Sequence, residues 1–137
     1  MSRRIYKIEK EPGLEIFFRA LADRTRLRLL NLMRDREVCV CYFVEILKMS
    51  QPKVSRHLAY LRRAGIAAAR RQGTWMHYRI VIPRDGRMAR LLGEVLEALR
   101  ADREMLHDRT RLEQARSAPD TLVALPTAPP PAPILRA

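Results

Sequence analysis

Cys39 and Cys41 are the two cysteines of this 137-residue chain, separated by one residue in the segment Glu37-Val38-Cys39-Val40-Cys41. Thiolates are soft ligands, so a closely spaced pair suits As(III), Sb(III), Cd(II) or Pb(II) in preference to hard ions. The spacing also constrains geometry. In a regular helix the two side chains would point about 200° apart, because successive residues turn by about 100°. In extended chain, residues i and i+2 share a face. Both sulfurs can therefore grip one ion only if the start of the helix that carries them is non-helical or unwinds. The competing reading is that both are small buried hydrophobes. A disulfide framework is excluded, since residues two apart bridge only with strain, and free thiols fit a reducing, cytoplasmic compartment.

The other reactive side chains do not assemble into an enzyme. The sequence has no nucleophile with a matching base, no paired-carboxylate constellation and no glycine-rich phosphate loop. Toward the C-terminus Asp102, Glu104, His107 and Asp108 are candidate ligands, but a second histidine at zinc spacing is missing. His107 reads as a solvated residue. His57 and His77 read as hydrogen-bonding or phosphate-contacting groups.

The charge pattern supplies a second function. Residues 46 to 84 contain nine Lys or Arg and no Asp or Glu, in a chain whose formal net charge is +12. A segment without counter-charge must face solvent and counterions or a polyanion, and such segregation marks a nucleic-acid-binding face.

These residues need a scaffold. At 47% hydrophobic content the chain supports one compact domain. No apolar run is long enough for a membrane span, and Met1-Ser2-Arg3-Arg4 is not followed by a signal core. Residues 1–11 are mixed and aperiodic and read as a flexible arm. Residues 117–137 hold six of the nine prolines and read as a disordered Pro/Ala-rich tail unable to build helix or sheet. The domain spans residues 12–116.

Within it, Leu14, Phe17, Phe18 and Leu21 have the i, i+3, i+4, i+7 spacing of one apolar helix face. Asp23 then caps a helix from Arg24 to about Met33. Val40, Phe43, Val44 and Leu47 mark a third, short helix. Ser50 caps a fourth from Gln51 to Ala64, with Val54, Leu58 and Leu61 buried and Gly65 ending it. The tight Lys48-Met49-Ser50 connection makes the third and fourth helices a helix-turn-helix. Gln51, Ser55 and Arg56 would reach base edges in a major groove, with Lys53, His57 and Arg62 alongside.

After Gly65 the pattern turns extended: Ile66 to Arg71, a Gln72-Gly73 turn, then Thr74 to Ile80. This hairpin is a wing whose Arg70, Arg71 and Gln72 suit phosphate or minor-groove contact, while Trp75 and Tyr78 pack inward. A single long helix then runs from Pro83 to about Arg116. Its apolar side exceeds what so small a domain can cover, which predicts a homodimer through the N- and C-terminal helices, with Leu14, Phe18, Leu92, Val95 and Leu99 at the interface. The fold class is mainly α with a small β-hairpin.

Taken together, Leu21-Ala22-Asp23-Arg24-Thr25-Arg26-Leu27-Arg28-Leu29-Leu30, Ser50-Gln51-Pro52-Lys53-Val54-Ser55-Arg56-His57-Leu58 and the wing Arg71 to Arg79 resemble the ArsR/SmtB winged-helix metalloregulators, over about residues 14 to 100. The resemblance implies an operator-bound homodimeric repressor that needs no cofactor to bind double-stranded DNA and leaves it when an inducer binds. The cysteine segment resembles the arsenite-responsive branch, which implies As(III) or Sb(III) at Cys39 and Cys41. That branch carries a third cysteine three residues after the second, where this chain has Val44, and an acidic residue where it has Tyr42. A water, a small thiol or a carbon substituent on the arsenic would complete the ligand set. Two other readings remain: a winged-helix regulator answering thiol oxidation, Cd or Pb, or no inducer, and an architectural DNA binder without sequence preference.

Overall fold

The computed structural model describes residues 12–117 and the backbone of residues 132–133. Six helices occur among them: α1 (Leu14–Leu21), α2 (Arg24–Leu32), α3 (Val40–Leu47), α4 (Gln51–Arg63), α5 (Gly86–Leu99) and α6 (Arg103–Ser117). The strands are β1 (Arg36–Cys39), β2 (Ala67–Gln72), β3 (Trp75–Ile80) and the two-residue β4 (Ala132–Pro133). β2, β3 and β1 form a small antiparallel sheet, and β4 adds to the outer edge of β1.

Capping chemistry explains most boundaries. The Asp23 side chain accepts the Arg26 N–H at 3.0 Å and starts α2. Ser50 does the same for Lys53 at 3.4 Å and starts α4. α3 ends on Lys48, whose φ of 57° is the left-handed conformation that lets the chain turn at once into α4. Gly65 ends α4 with φ 78°. Gly73 (φ 62°) opens a two-residue loop with Thr74, and Gln72 pairs with Trp75. The turn thus lies one residue later than Gln72-Gly73.

The core joins Phe17, Leu29, Leu30, Met33, Phe43, Val54, Leu58, Leu61 and Ile66, and burying each large side chain contributes about 1.5–3 kcal/mol. Tyr78 is buried and Trp75 packs against the core.

Four expectations change. The stretch before the cysteines is a strand, β1, that pairs with the wing strand β3. The C-terminal helix is two helices, because the Asp102 side chain accepts the Met105 N–H at 3.2 Å and starts a new one. α6 packs against α2 and α3. Asn31 donates to the Met105 carbonyl at 3.0 Å, and the Arg28 and Arg109 guanidinium groups hold Asp108 and Asp35. Leu92 is fully buried and Leu99 is 7% exposed, so both side chains are already covered within the protomer. Lastly, Ala132 and Pro133 form β-bridges, so the tail does contribute to the sheet at those two residues. Residues 1–11 and the remainder of the tail lie outside the described residues.

Candidate functional site

The two cysteines sit at the junction of β1 and α3. Cys39 is the last residue of β1 and the N-cap of α3, with extended backbone (φ −70°, ψ 143°). Cys41 belongs to the first helical turn. The change from strand to helix between them turns both side chains inward, and the sulfurs lie 3.3 Å apart. At metal–sulfur bonds of about 2.3 Å, two thiolates on one ion stand about 3–4 Å apart, so the pair can chelate without unwinding α3. The non-helical start that the spacing demands is supplied by β1.

Cys41 donates its S–H to Cys39. That hydrogen bond, opposed by burial, pulls Cys39 down to about 7, while holding the shared proton and burial push Cys41 up. Cys39 is therefore the sulfur that loses its proton first, and Cys41 keeps its own. Val44 lies one turn beyond Cys41, half-buried at the position a third thiol would take. Among the described residues no three His, Cys, Asp or Glu side chains converge as a metal site.

Two side chains beside the pair have unmet polar atoms. Tyr42 is fully buried and its hydroxyl has no partner. Burial and the charge of both cysteines raise its pKa to about 12. His77 stands opposite Cys39 across β1 and β3, is 2% exposed, and neither ring nitrogen has a partner. Burial and the nearby Arg70 lower its pKa, so the ring is neutral. It cannot contact phosphate from this position.

The nucleic-acid face fares differently residue by residue. Gln51, Lys53, Arg56 and Arg62 are exposed along α4 and Ser55 is half-exposed, as a recognition helix requires. Arg71 and Gln72 are exposed at the wing tip. His57 faces α2, with Nδ1 3.4 Å from an Arg26 nitrogen and 3.7 Å from Asp23 Oδ2, so it joins the two helices. Burial is the first cause lowering its pKa. Arg70 is bound to Glu37 of β1 through Nε at 3.0 Å, so in this structure part of its guanidinium is taken by that carboxylate. Glu37 is 7% exposed and is the acidic counterpart that the basic segment of residues 46 to 84 lacks within itself. Only the fold, which sets β1 against the wing, brings the two together.

Toward the C-terminus Asp102 and Glu104 hold Arg24, and Asp108 holds Arg28, which commits these carboxylates to ion pairs. His107 is exposed. For a dimer face, Leu14 (52% exposed) and Phe18 (48%) stand out on α1, with Leu106 (52%) on α6, while Val95 is half-buried. No helix among the described residues is long and apolar enough to cross a membrane.

Residues 23–69, which hold α2, the cysteine pair, α3 and α4, match the profile described as "Bacterial regulatory protein, arsR family". The arsenic resistance transcriptional regulator ArsR1 of Pseudomonas putida is 53% identical over 66 residues, 47% of this chain and 52% of that protein. The chain thus spans about half of that relative's length. An uncharacterised HTH-type transcriptional regulator of Methanocaldococcus jannaschii is 39% identical over 89 residues, 64% of this chain and all of the other. The crystal structure of Rv0081 of M. tuberculosis superposes with a TM-score of 0.51 at 35% identity, covering 69% of this chain and 89% of that one.

Proposed function

Because the chain belongs to the ArsR family of winged-helix bacterial regulatory proteins, we propose that it is a transcriptional repressor that holds operator DNA as a homodimer and releases it when As(III) or Sb(III) binds Cys39 and Cys41. The single observation that carries this reading is the thiol pair, 3.3 Å apart at the β1–α3 junction. Soft trivalent ions select such ligands. The name of the Pseudomonas relative, an arsenic resistance regulator, points the same way.

The junction has two routes to DNA. α3 packs directly against the recognition helix α4. β1 continues through β3 into the wing, and Glu37, two residues before Cys39, holds Arg70 of β2. An ion that fixes the two sulfurs fixes the angle between β1 and α3. It thereby biases both DNA-contacting elements at once, which is the differential contact that a shift between two states requires.

Thiol oxidation is the alternative signal, favoured by a thiolate lying against a thiol. The test is anisotropy of a labelled operator titrated with arsenite under reducing conditions. A coupling of ~1 to 3 kcal/mol would weaken operator binding by roughly 5- to 150-fold. Release by peroxide alone would transfer the assignment to oxidation.

A further inference from the structure

Buried polar side-chain atoms without partners are rare and call for an explanation. Among the described residues these atoms are Arg36 Nε, Tyr42 Oη and both ring nitrogens of His77. Arg36 Nε has an ionic neighbour, Asp35 Oδ1 at 3.6 Å. The other three belong to the two residues that flank the thiol pair, one following Cys41 on α3 and one facing Cys39 from β3. Residues directly opposite in an antiparallel pair carry side chains on the same face, about 4.5–5.5 Å apart at Cβ, so His77 is a neighbour of Cys39. Arg70, paired with Glu37, stands opposite His77 in the β2–β3 register.

The chemistry of the inducer supplies what these atoms lack. Arsenite reaches the site as As(OH)3. Each sulfur forms one As–S bond and one As–O bond breaks, the leaving hydroxyl departing as water with the thiol proton or, where Cys39 is already ionised, with a proton from solvent. Two thiols thus give (RS)2As–OH and two waters, with no change in oxidation state. With Val44 in place of a third thiol, the remaining hydroxyl would stay on arsenic, between residues that are themselves buried. A buried hydroxyl needs hydrogen-bond partners.

We infer that Tyr42 and His77 are the specificity-determining residues of this site, receiving the one hydroxyl that a two-thiol centre leaves on trivalent arsenic and so favouring the oxygen-bearing ion over carbon-substituted arsenicals. The inference rests on the cysteine-sensor reading above and assigns the third position to an oxygen. Tyr42 Oη can donate to the arsenic-bound oxygen, and the His77 ring can accept its proton or donate to it, depending on tautomer. A carbon substituent at the same position would leave all three protein atoms unmatched.

The experiment compares arsenite with phenylarsine oxide, whose trivalent arsenic carries one aryl carbon and offers only two exchangeable positions. Both are titrated calorimetrically into the reduced full chain, its Tyr42→Phe and its His77→Phe. The wild-type chain is expected to bind both. Tyr42→Phe should lose about 2- to 13-fold in arsenite affinity, the worth of one net hydrogen bond, and keep phenylarsine oxide within about twofold. His77→Phe should shift the ratio in the same direction. Retained phenylarsine oxide binding also reports that each variant is folded. Unchanged arsenite affinity in both variants, or equal loss of both arsenicals, overturns the assignment of Tyr42 and His77 while leaving the cysteine sensor intact. If neither arsenical binds the wild-type chain, the sensor reading fails and this inference falls with it.

Discussion

Glu37 on β1 and Arg70 on β2 form an ion pair that ties the strand leading into the thiol pair to the wing. The carboxylate is buried and the guanidinium half-exposed, and the nearby Arg70 holds Glu37 below the usual carboxylate range. Such a pair restrains an arginine of the wing.

Glu37→Gln should therefore release Arg70 and raise affinity for all DNA sequences alike. The salt dependence should steepen by ~0.9 in the log–log slope for one added phosphate contact. Binding isotherms at several salt concentrations check this, and an unchanged slope would show that Arg70 does not reach the backbone.

On α4, Arg56→Ala or Gln51→Ala should lower operator preference by about 1–3 kcal/mol, since base contacts specify. Arg71→Ala should weaken operator and random DNA equally and flatten the slope by ~0.9. Equal loss on both DNAs for all three variants would remove the distinction drawn between helix and wing.

The exposed apolar residues Leu14 and Phe18 on α1 mark the face available to a second copy. Phe18→Glu should give a folded monomer with weak operator binding, measured by sedimentation. Leu92→Glu buries a charge among core residues and should unfold the protomer instead. A dimeric Phe18→Glu protein would place the interface elsewhere.

Much of this architecture was legible from residue types. Asp23 and Ser50 are side-chain caps and Gly65 and Gly73 supply left-handed backbone, so α2, α4 and the wing follow from local chemistry. β1 escaped because three of its four residues are buried, which erases the alternation that betrays a strand. The break between α5 and α6 escaped because apolar spacing continues from Met88 through Leu99 to Met105 and Leu106, and neither Gly nor Pro stands between Leu99 and Met105. The available signal was Asp102, a cap residue. The Glu37–Arg70 and Cys39–His77 relationships join residues more than thirty positions apart, and only sheet register brings them together. Burial of Leu92 likewise depends on packing against other elements, which no single helical period reveals.

The thiol pair should titrate unequally. Thiolate ultraviolet absorbance should appear with a midpoint of about 7, attributable to Cys39. Cys41→Ala removes the side-chain hydrogen bond that is the largest cause of this lowering, so the midpoint should rise, with burial then opposed only by the backbone N–H groups of residues 40 and 41. A midpoint that stays near 7 in Cys41→Ala would assign the depression to another cause.

The most direct measurement is operator release by arsenite in Cys39→Ser and Cys41→Ser, followed by anisotropy under reducing conditions. Each variant should bind operator as the parent does and fail to release it, because a neutral hydroxyl does not replace a thiolate for a soft ion. Val44→Cys should tighten arsenite binding by adding a third sulfur. Operator DNA must also weaken arsenite binding to the parent by the same factor that arsenite weakens operator binding. Normal release from both serine variants would contradict the account, since the signal would then enter somewhere other than Cys39 and Cys41.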